Sequence, residues 1–452
     1  MQRSRNKCRS VSLIPVIVIW GGINLCIGQT QDKINIKVNY VAKLNEISRP
    51  ANYDPNDNAA PYYKKALDLC IEHPEQLSNS DLKAWPKDLP NEKLPLLQDW
   101  VSDNSEALEQ LKLGTQKPYY WSEYQGNSMV DIVMPSLAEA RKLTYALCSR
   151  AKIKASEGNF KEAFSDLLTG YKFGAHFTGR KTSLIEQLVG TAIRSLSLQS
   201  GFQILDKTKP NPDLLKDFQV QLELFSDSKT YVIDFTAEKL LFYDNIQRVF
   251  TDDGQGGGHI YGTRPGENET YIKEQLGQDL IKDQMSSLDK LERRQTSELA
   301  DKIYEYLSPQ AYKTPSQLHN EGQNIEKVLE EMTKDNLLVH LFMPAAHRVM
   351  EISYRCKVET DALITTLALL RYKVDNNQFP ENLSLLIATG YLKELPIDSF
   401  SDKPLVYKTT GNDFILYSFA ADLDDDGGIP SKWGEGQQGG DQVFWPVSTK
   451  QK

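Results

Sequence analysis

Residues 137–171 read LAEARKLTYALCSRAKIKASEGNFKEAFSDLLTGY, and this stretch indicates the fold class. Before Gly158 the apolar residues recur at helical spacing, and after it an aromatic residue and an alanine begin a second apolar series. The first series consists of Leu137, Ala140, Leu143, Leu147 and Ala151. Because one face of a helix repeats about every 3.6 residues, the stretch predicts two helices joined by a turn at Gly158.

The segment 155–163, ASEGNFKEA, resembles the turn of a tetratricopeptide helix pair. Small residues suit this place because two antiparallel helices pack closely beside the turn. The sequence contains one convincing copy, and a superhelical groove needs several stacked copies. We therefore expect one helical hairpin within an irregular helical body, with a peptide-binding helical-repeat scaffold as an alternative.

Apolar spacing predicts further helices along the body. We expect helices over residues 94–113, 181–205 and 231–250, and one long, highly charged helix over 269–307. Residues 251–268, TDDGQGGGHIYGTRPGEN, interrupt this series with a Gly-rich loop. The loop does not match a phosphate-binding motif, because no Lys-Ser or Lys-Thr pair follows its glycines.

Composition excludes several classes of protein. The chain has 452 residues and a formal charge of −9, with 52 Lys and Arg against 61 Asp and Glu. An acidic balance argues against a general nucleic-acid-binding protein, which needs a basic surface to release counterions. After the first 28 residues no apolar run approaches the roughly 18 residues of a membrane helix, which excludes a polytopic membrane protein.

Residues 1–28 have the three parts of a secretory signal peptide. Four basic residues and no acid precede the apolar run of residues 11–23, VSLIPVIVIWGGI. Cys26 and Gly28 then place small residues at the −3 and −1 positions of a cleavage site. We expect export to the periplasm or cell surface with cleavage after Gly28. An uncleaved anchor is the alternative, because residues 11–28 can just span a bilayer.

Three cysteines follow the leader, Cys70, Cys148 and Cys356, and no CxxC pair occurs among them. An odd number allows at most one disulfide and leaves a thiol over. We expect three small buried residues on apolar helix faces, and not a disulfide scaffold.

Sequence motifs of catalysis are few. The six histidines are scattered, and neither HExxH nor GxSxG occurs. Glu186 falls inside an apolar helical pattern, and Asp252, Asp253 and His259 share the Gly-rich loop. A hydrolase with an acidic and histidine site in a helical cleft is therefore an alternative function.

The C-terminal part changes from helical to mixed character. Residues 361–377, DALITTLALLRYKVDNN, predict a helix that ends at the asparagines, and Pro380 begins a short second helix. Short β patterns follow at 405–407 and 414–417 with a Thr-Gly-Asn-Asp turn between them, and residues 443–445 predict a final strand.

This order of elements resembles the globular domain of the major pseudopilin of type II secretion. The matching segments are a helix ending before NNQFP at 376–380, LPID at 395–398, and LYSFAAD at 416–422. A pseudopilin carries its processed N-terminus at the head of this helix, whereas here the helix lies more than 300 residues inside the chain. The resemblance therefore implies a small α+β module, without the polymerising role.

Calcium holds the loop after the second strand in pseudopilins, and the resemblance places Ser418 and Asp422 at its start and Asp441 as its downstream acid. Independently, residues 422–427 read DLDDDG, in which Asp422, Asp424 and Asp426 alternate before a glycine, as at the opening of a calcium loop.

An EF-hand is excluded, because its twelfth position would be Trp433 and not glutamate. Residues 422–441 hold six acids and one base, so the loop carries a charge of −5 that a cation would offset. We therefore expect calcium at a site of five residues, with a solvated acidic loop as the alternative. The expected ligands are Asp422, Asp424, Asp426, Asp441 and Ser418, the last through nearby main-chain carbonyls.

Together these observations predict a mainly α protein. An irregular helical body over 29–335, partly a tetratricopeptide-like hairpin, precedes a small pseudopilin-like α+β module over 336–452 with a short antiparallel sheet. The expected function is that of an exported structural or interaction protein of the bacterial envelope with a calcium-stabilised C-terminal module. An interaction role would require a protein partner, and the sequence does not identify one.

Overall fold

The computed structural model describes residues 34–132, 137–179, 181–276, 282–343, 345–431 and 439–447. These residues form a mainly α-helical protein with two small antiparallel sheets near the C-terminal end, which confirms the expected fold class. The signal-peptide prediction for residues 1–28 lies outside the described ranges.

Ten helices precede the Gly-rich loop in the described chain. They are α1 Tyr40–Ser48, α2 Ala60–Asp68, α3 Asn79–Lys83, α4 Lys93–Asp103, α5 Ser105–Gly114, α6 Leu137–Ser156, α7 Phe160–Ala175, α8 Leu184–Lys207, α9 Pro212–Phe225 and α10 Thr236–Val249. Short 3-10 helices cover Pro55–Asp57, Pro86–Asp88 and Ser228–Tyr231.

The helices after the loop are α11 Glu269–Leu276, α12 Lys282–Asp289, α13 Arg293–Gln310, α14 Pro315–Asn320, α15 Ile325–Thr333, α16 Leu337–Phe342, α17 Ala346–Asn376 and α18 Ser384–Ala388. The strands are β1 Ile397–Asp398, β2 Lys403–Pro404, β3 Val406–Thr409, β4 Phe414–Ser418 and β5 Gln442–Trp445. A 3-10 turn at Ala420–Asp422 follows β4. In the parts of the chain that are described, no helix is both long and apolar enough to cross a membrane.

The predicted hairpin is present as α6 and α7. Gly158 takes a φ of +88° at the turn, a left-handed conformation that glycine adopts without a steric cost. The next helix pair, α7 and α8, crosses very closely at two further glycines. A β-carbon at Gly190 would lie 2.5 Å from the carbonyl oxygen of Gly174, so a side chain cannot fit there.

Two helices that we predicted to be continuous are interrupted in the structure, so these predictions are wrong in that respect. The predicted helix 94–113 breaks at Asn104, whose buried side chain accepts a hydrogen bond from the amide of Ile71 and donates to its carbonyl. The predicted helix 269–307 is interrupted before α13, where Glu292 forms a β-bridge with His259. Both interruptions arise from residues distant in sequence, so local periodicity does not reveal them.

Helix α17 connects the helical body to the C-terminal sheet. It packs along α8 and α9 on one side and contacts β4 and β5 on another. A β-carbon at Gly201 in α8 would lie 3.0 Å from Leu363 in α17, and the rings of Phe202 and Phe444 stack with centroids 5.8 Å apart. One apolar core therefore extends from the helical hairpin to the C-terminal sheet. The boundary at 335/336 stays a prediction.

The larger C-terminal sheet has the order β3-β4-β5, with both pairs antiparallel. Val406 pairs with Tyr417, and Ser418 pairs with Gln442. β4 and β5 are neighbouring strands, and the chain between Ser418 and Gln442 connects them. This connection contains the acidic loop.

Candidate metal centre

The acidic loop is closed by main-chain hydrogen bonds near its second end. The amide of Asp441 donates to the carbonyl of Ile429 at 2.7 Å, and the amide of Ser431 donates to the carbonyl of Asp441 at 2.8 Å. These bonds form a parallel β-bridge between Pro430 and Asp441. The chain around Asp441 is therefore held against the part of the loop that follows the aspartate run.

Two of the predicted ligands, one near each end of the loop, each accept a hydrogen bond from an amide in the opposite part of the loop. Asp422 Oδ2 accepts a hydrogen bond from the amide of Gly440 at 2.7 Å, and Asp441 Oδ2 accepts one from the amide of Gly428 at 2.7 Å. Gly440 has a φ of +138°, and a β-carbon there would lie 2.7 Å from the Cα of Ser431. The glycine is therefore required for this approach, which brings the two ends of the loop together.

One oxygen of Asp441 has no hydrogen-bond partner. The residue is fully buried, and Oδ1 is unpaired within the described part of the chain, while Oδ2 is held by Gly428. Burial raises the pKa of this carboxyl, the nearby amides of Gly428 and Asp426 oppose the rise, and the charges of Asp425 and Asp426 add to it. A buried, unpaired carboxylate oxygen beside other carboxylates is a site that a cation would stabilise.

Asp422 and Asp426 converge on Gly439. A β-carbon at Gly439 would lie 3.1 Å from Oδ2 of Asp422 and 3.4 Å from Oδ2 of Asp426. The alternation predicted for this segment thus brings these two carboxylates to one place. Asp424 is exposed, and its Oδ1 accepts a hydrogen bond from the amide of Asp425 at 2.9 Å.

Asp425, which the alternating pattern leaves out of the ligand set, faces the sheet. Its Oδ1 accepts hydrogen bonds from the hydroxyl of Tyr417 at 2.8 Å and from the amide of Gly427 at 3.0 Å. The Tyr417 bond, followed by the Gly427 bond, lowers the pKa of Asp425. Lys408 in turn donates to the Tyr417 hydroxyl at 2.8 Å. This carboxylate is therefore satisfied without a metal.

The side chain of Ser418 is hydrogen-bonded to Asp398, a residue that sequence analysis did not select. Its hydroxyl donates to Oδ1 of the buried Asp398 at 2.8 Å and accepts from the amide of Ala420 at 3.2 Å. Asp398 also accepts bonds from the amides of Phe400 and Phe419. Only a main-chain oxygen near Ser418 remains to serve as the predicted ligand. The sequence signal for Asp398 was its place in the LPID segment.

The donor set has the right chemistry for calcium, a hard cation that prefers carboxylate and carbonyl oxygens. The fit rests on the unpaired Oδ1 of Asp441 and on the convergence of Asp422 and Asp426. In the described ranges, no three acidic, histidine or cysteine side chains are gathered closely enough to hold a metal by themselves. A calcium site here would therefore also use main-chain oxygens.

The residues of the alternative hydrolase site fall into separate networks. Glu186 is in the first turn of α8, where it forms a capping box with Ser183 and accepts a hydrogen bond from the Tyr124 hydroxyl. Among the described contacts, none joins Glu186 to the Gly-rich loop. Its position is that of a helix cap, which gives it a structural reason to be buried.

The charged side chains of the Gly-rich loop form ion pairs within the protein. Asp252 pairs with Lys37 at 2.7 Å and with Arg293 at 3.1 Å, and His259 pairs with Glu267 at 2.8 Å. Asp253 Oδ1 caps the loop by accepting from the amides at 255 and 257. The three predicted hydrolase residues of this loop therefore hold its conformation.

The three cysteines in the described part of the chain do not form a disulfide. Cys70, Cys148 and Cys356 are all free, with Cys148 and Cys356 buried and Cys70 partly buried. Burial raises the pKa of the Cys356 thiol to about 11, which makes it a poor nucleophile at neutral pH.

No protein-family model matches this chain, and neither a curated protein nor a solved structure is significantly similar to it.

Proposed function

We propose that this is an exported structural or interaction protein of the bacterial envelope, and that calcium bound within residues 422–441 stabilises its C-terminal module. The observation that carries the calcium proposal is the buried, unpaired Oδ1 of Asp441. It lies in a loop with six acids and one base, where the charges of Asp425 and Asp426 oppose its ionisation.

Asp422, Asp426 and Asp441 would hold the ion, together with main-chain oxygens of the loop. Calcium would add positive charge beside carboxylates that make no ion pair with a described residue. Asp422 and Asp441 already bind the amides of Gly440 and Gly428, so a cation that offsets the repulsion among the carboxylates would stabilise a loop that these bonds have closed. Because β4 and β5 begin and end this loop, the effect would reach the sheet and the core shared with α17.

The export part of the proposal is supported by the leader pattern of residues 1–28 and by the tail's resemblance to a secretion pseudopilin. Sequencing the N-terminus of protein made in a bacterial host tests it. Export predicts a mature chain that begins at Gln29. A cytosolic protein that retains the leader would contradict it.

Calorimetric titration of the full chain with calcium tests the site. Extracellular calcium modules bind with Kd values of about 10⁻⁴ to 10⁻³ M, and we expect an affinity in that range. Magnesium should bind much more weakly, because it demands a tight octahedral shell. Asp422→Asn should remove most of the calcium binding, since it takes away one of the two carboxylates that converge on Gly439.

Glu381→Gln is the matched control, because Glu381 is an exposed acid of the same module that lies outside the loop. It should bind calcium as the wild type does. Absence of binding at millimolar calcium, or equal binding by Asp422→Asn and Glu381→Gln, would contradict the proposed site.

A further inference from the structure

A groove of about 350 Å³ lies between α5, α7 and α9, away from the acidic loop. Its floor is aromatic: the rings of Phe164 and Phe218 stack in parallel, with centroids 4.5 Å apart and an interplanar angle of 6°. Leu168 and Leu214 are partly exposed beside them and also line the groove. Because Phe164 and Phe218 are only 4% and 2% exposed, the apolar surface that the groove presents to solvent comes from Leu168 and Leu214.

Exposed apolar side chains continue this surface along α9. Leu214, Phe218 and Gln221 line the groove, and the same helical spacing leads on to Leu224 and Phe225. Leu224 is 66% exposed and Phe225 is 36% exposed. Exposed apolar side chains beside a groove are typical of protein interaction sites.

The rim of the groove is basic. Lys112, Lys161 and Lys172 line it, one on α5 and two on α7, against the single acid Asp217. None of the three lysines makes an ion pair with a described residue, whereas Lys154 on the neighbouring α6 pairs with both Glu162 and Asp166. In a chain with an excess of nine acids, these lysines concentrate unpaired positive charge at an apolar groove.

Lys172 packs its ammonium against the aromatic end of α9. It is partly buried, and its ammonium lies 3.9 Å from the ring centroid of Phe225. Burial lowers the pKa of Lys172, which reflects the cost of desolvating its charge. An arriving carboxylate would offset it.

We propose that the groove between α5, α7 and α9 binds a short acidic segment of a partner protein that carries large apolar side chains. The apolar residues of the segment would cover Leu168, Leu214 and Phe225, and its carboxylates would pair with the lysines of the rim. Three lysines on two helices fit several carboxylates of a peptide better than the single carboxylate of a fatty acid. This inference goes beyond the proposed function by naming the surface and the chemistry of the partner, and it is independent of calcium.

Selection from a phage library of random twelve-residue peptides against the full chain tests the proposal. We expect the enriched peptides to combine Asp or Glu with Leu, Ile, Phe or Trp. A synthetic, fluorescein-labelled copy of the best peptide is then titrated by fluorescence polarisation. Lys161→Glu should weaken its binding at least tenfold, and added salt should weaken its binding to the wild type.

Lys216→Glu is the control, because Lys216 is an exposed lysine of α9 that does not line the groove. It makes the same change of charge and should bind the peptide within twofold of the wild type. Both substitutions are on exposed positions, and circular dichroism should show the same helix content in each.

Three results would overturn the proposal. The first is enrichment of peptides without acids, or of none. The second is equal binding of the selected peptide by Lys161→Glu and Lys216→Glu. The third is displacement of the peptide by laurate, or self-association of the chain that Lys161→Glu abolishes, which would assign the groove to an anionic amphiphile or to a second copy. Calcium titration is unaffected by any of them.

Discussion

The loop of residues 251–268 and the loop of residues 422–441 are both rich in glycine and aspartate, but they treat their carboxylates differently. In the first, Asp252 lies between Lys37 and Arg293, and Glu267 pairs with His259. In the second, Asp422 and Asp441 accept hydrogen bonds from main-chain amides and Asp425 accepts one from Tyr417, while one oxygen of the buried Asp441 has no partner among the described residues.

The carboxyl pKa values in the two loops shift in opposite directions, as these contacts lead one to expect. The hydrogen bond from Lys37, followed by that from the Gly254 amide and the charge of Arg293, lowers the pKa of Asp252 to about 2. Burial and neighbouring charges raise the pKa of Asp441. Asp252 is neutralised by cations from other parts of the protein, whereas the carboxylates of the second loop make no ion pair with a described residue and would be stabilised by a cation from solution.

The largest expected effect concerns the first loop. Asp252→Asn should lower the free energy of unfolding by about 3 kcal/mol, because it leaves the largely buried Arg293 without its carboxylate. Urea unfolding of the full chain at pH 7 measures this, and the loss should be the same in calcium and in chelator. Asp253→Asn, a neighbour whose carboxylate accepts only from main-chain amides, should cost much less.

Equal losses for Asp252→Asn and Asp253→Asn would show that the ion pairs do not stabilise this loop. A loss for Asp252→Asn that depends on calcium would remove the contrast between the loops.

Without calcium, acid should affect the two loops in opposite directions, because the pKa shifts of Asp252 and Asp441 have opposite signs. The folded-state pKa of Asp252, about 2, is below its usual value of 3.8, so its contribution to stability is present above pH 3.8 and is lost as pH falls toward 2. It amounts to about 2 kcal/mol. The difference in unfolding free energy between the wild type and Asp252→Asn should shrink by this amount over that range.

The folded-state pKa of Asp441 is raised, so without calcium its contribution to stability is present below pH 3.8 and is lost as pH rises through the folded pKa. Calcium requires the ionised form. The stabilisation by calcium should therefore be full at pH 7 and should decline as pH falls through the raised pKa. A calcium effect of equal size at pH 7 and at pH 3.5 would contradict the role of this carboxylate.

The smallest expected effect concerns Asp425. Asp425→Asn should change the unfolding free energy by a few tenths of a kcal/mol, because this exposed residue loses only part of its hydrogen bonding to Tyr417 and Gly427. Calorimetry should show calcium binding close to that of the wild type. Loss of binding would mean that the alternation of ligands inferred from the DLDDDG segment is incorrect.

Much of the fold could be predicted because it follows local periodicity. The α6–α7 hairpin, the end of α17 at the asparagines, and the three strands of the larger sheet all lie where spacing and turn residues place them. At Asn377, φ is +58°, the left-handed stop expected there. The helix breaks at Asn104 and before Arg293 could not be predicted, because both depend on contacts with distant residues.

The candidate site shows the same limit. Alternation of acids indicated that Asp422 and Asp426 would meet, and the structure brings them together at Gly439. The hydrogen bond from Ser418 to Asp398 could not be predicted, because a contact between residues 20 positions apart leaves no local sequence pattern. Nor does the sequence show that Asp441 is fully buried, which follows from the pairing of β4 with β5.

The thermal stability of Asp441→Asn, measured beside the wild type in chelator and in calcium, tests the central claim most directly. At a calcium concentration ten times Kd, binding stabilises the wild type by about 1.4 kcal/mol, a rise in Tm of roughly 2 °C for a chain of this size. The account predicts that Asp441→Asn is at least as stable as the wild type in chelator, because it removes a buried unpaired charge, and that calcium does not raise its Tm. A variant that is less stable in chelator and still responds to calcium would contradict it.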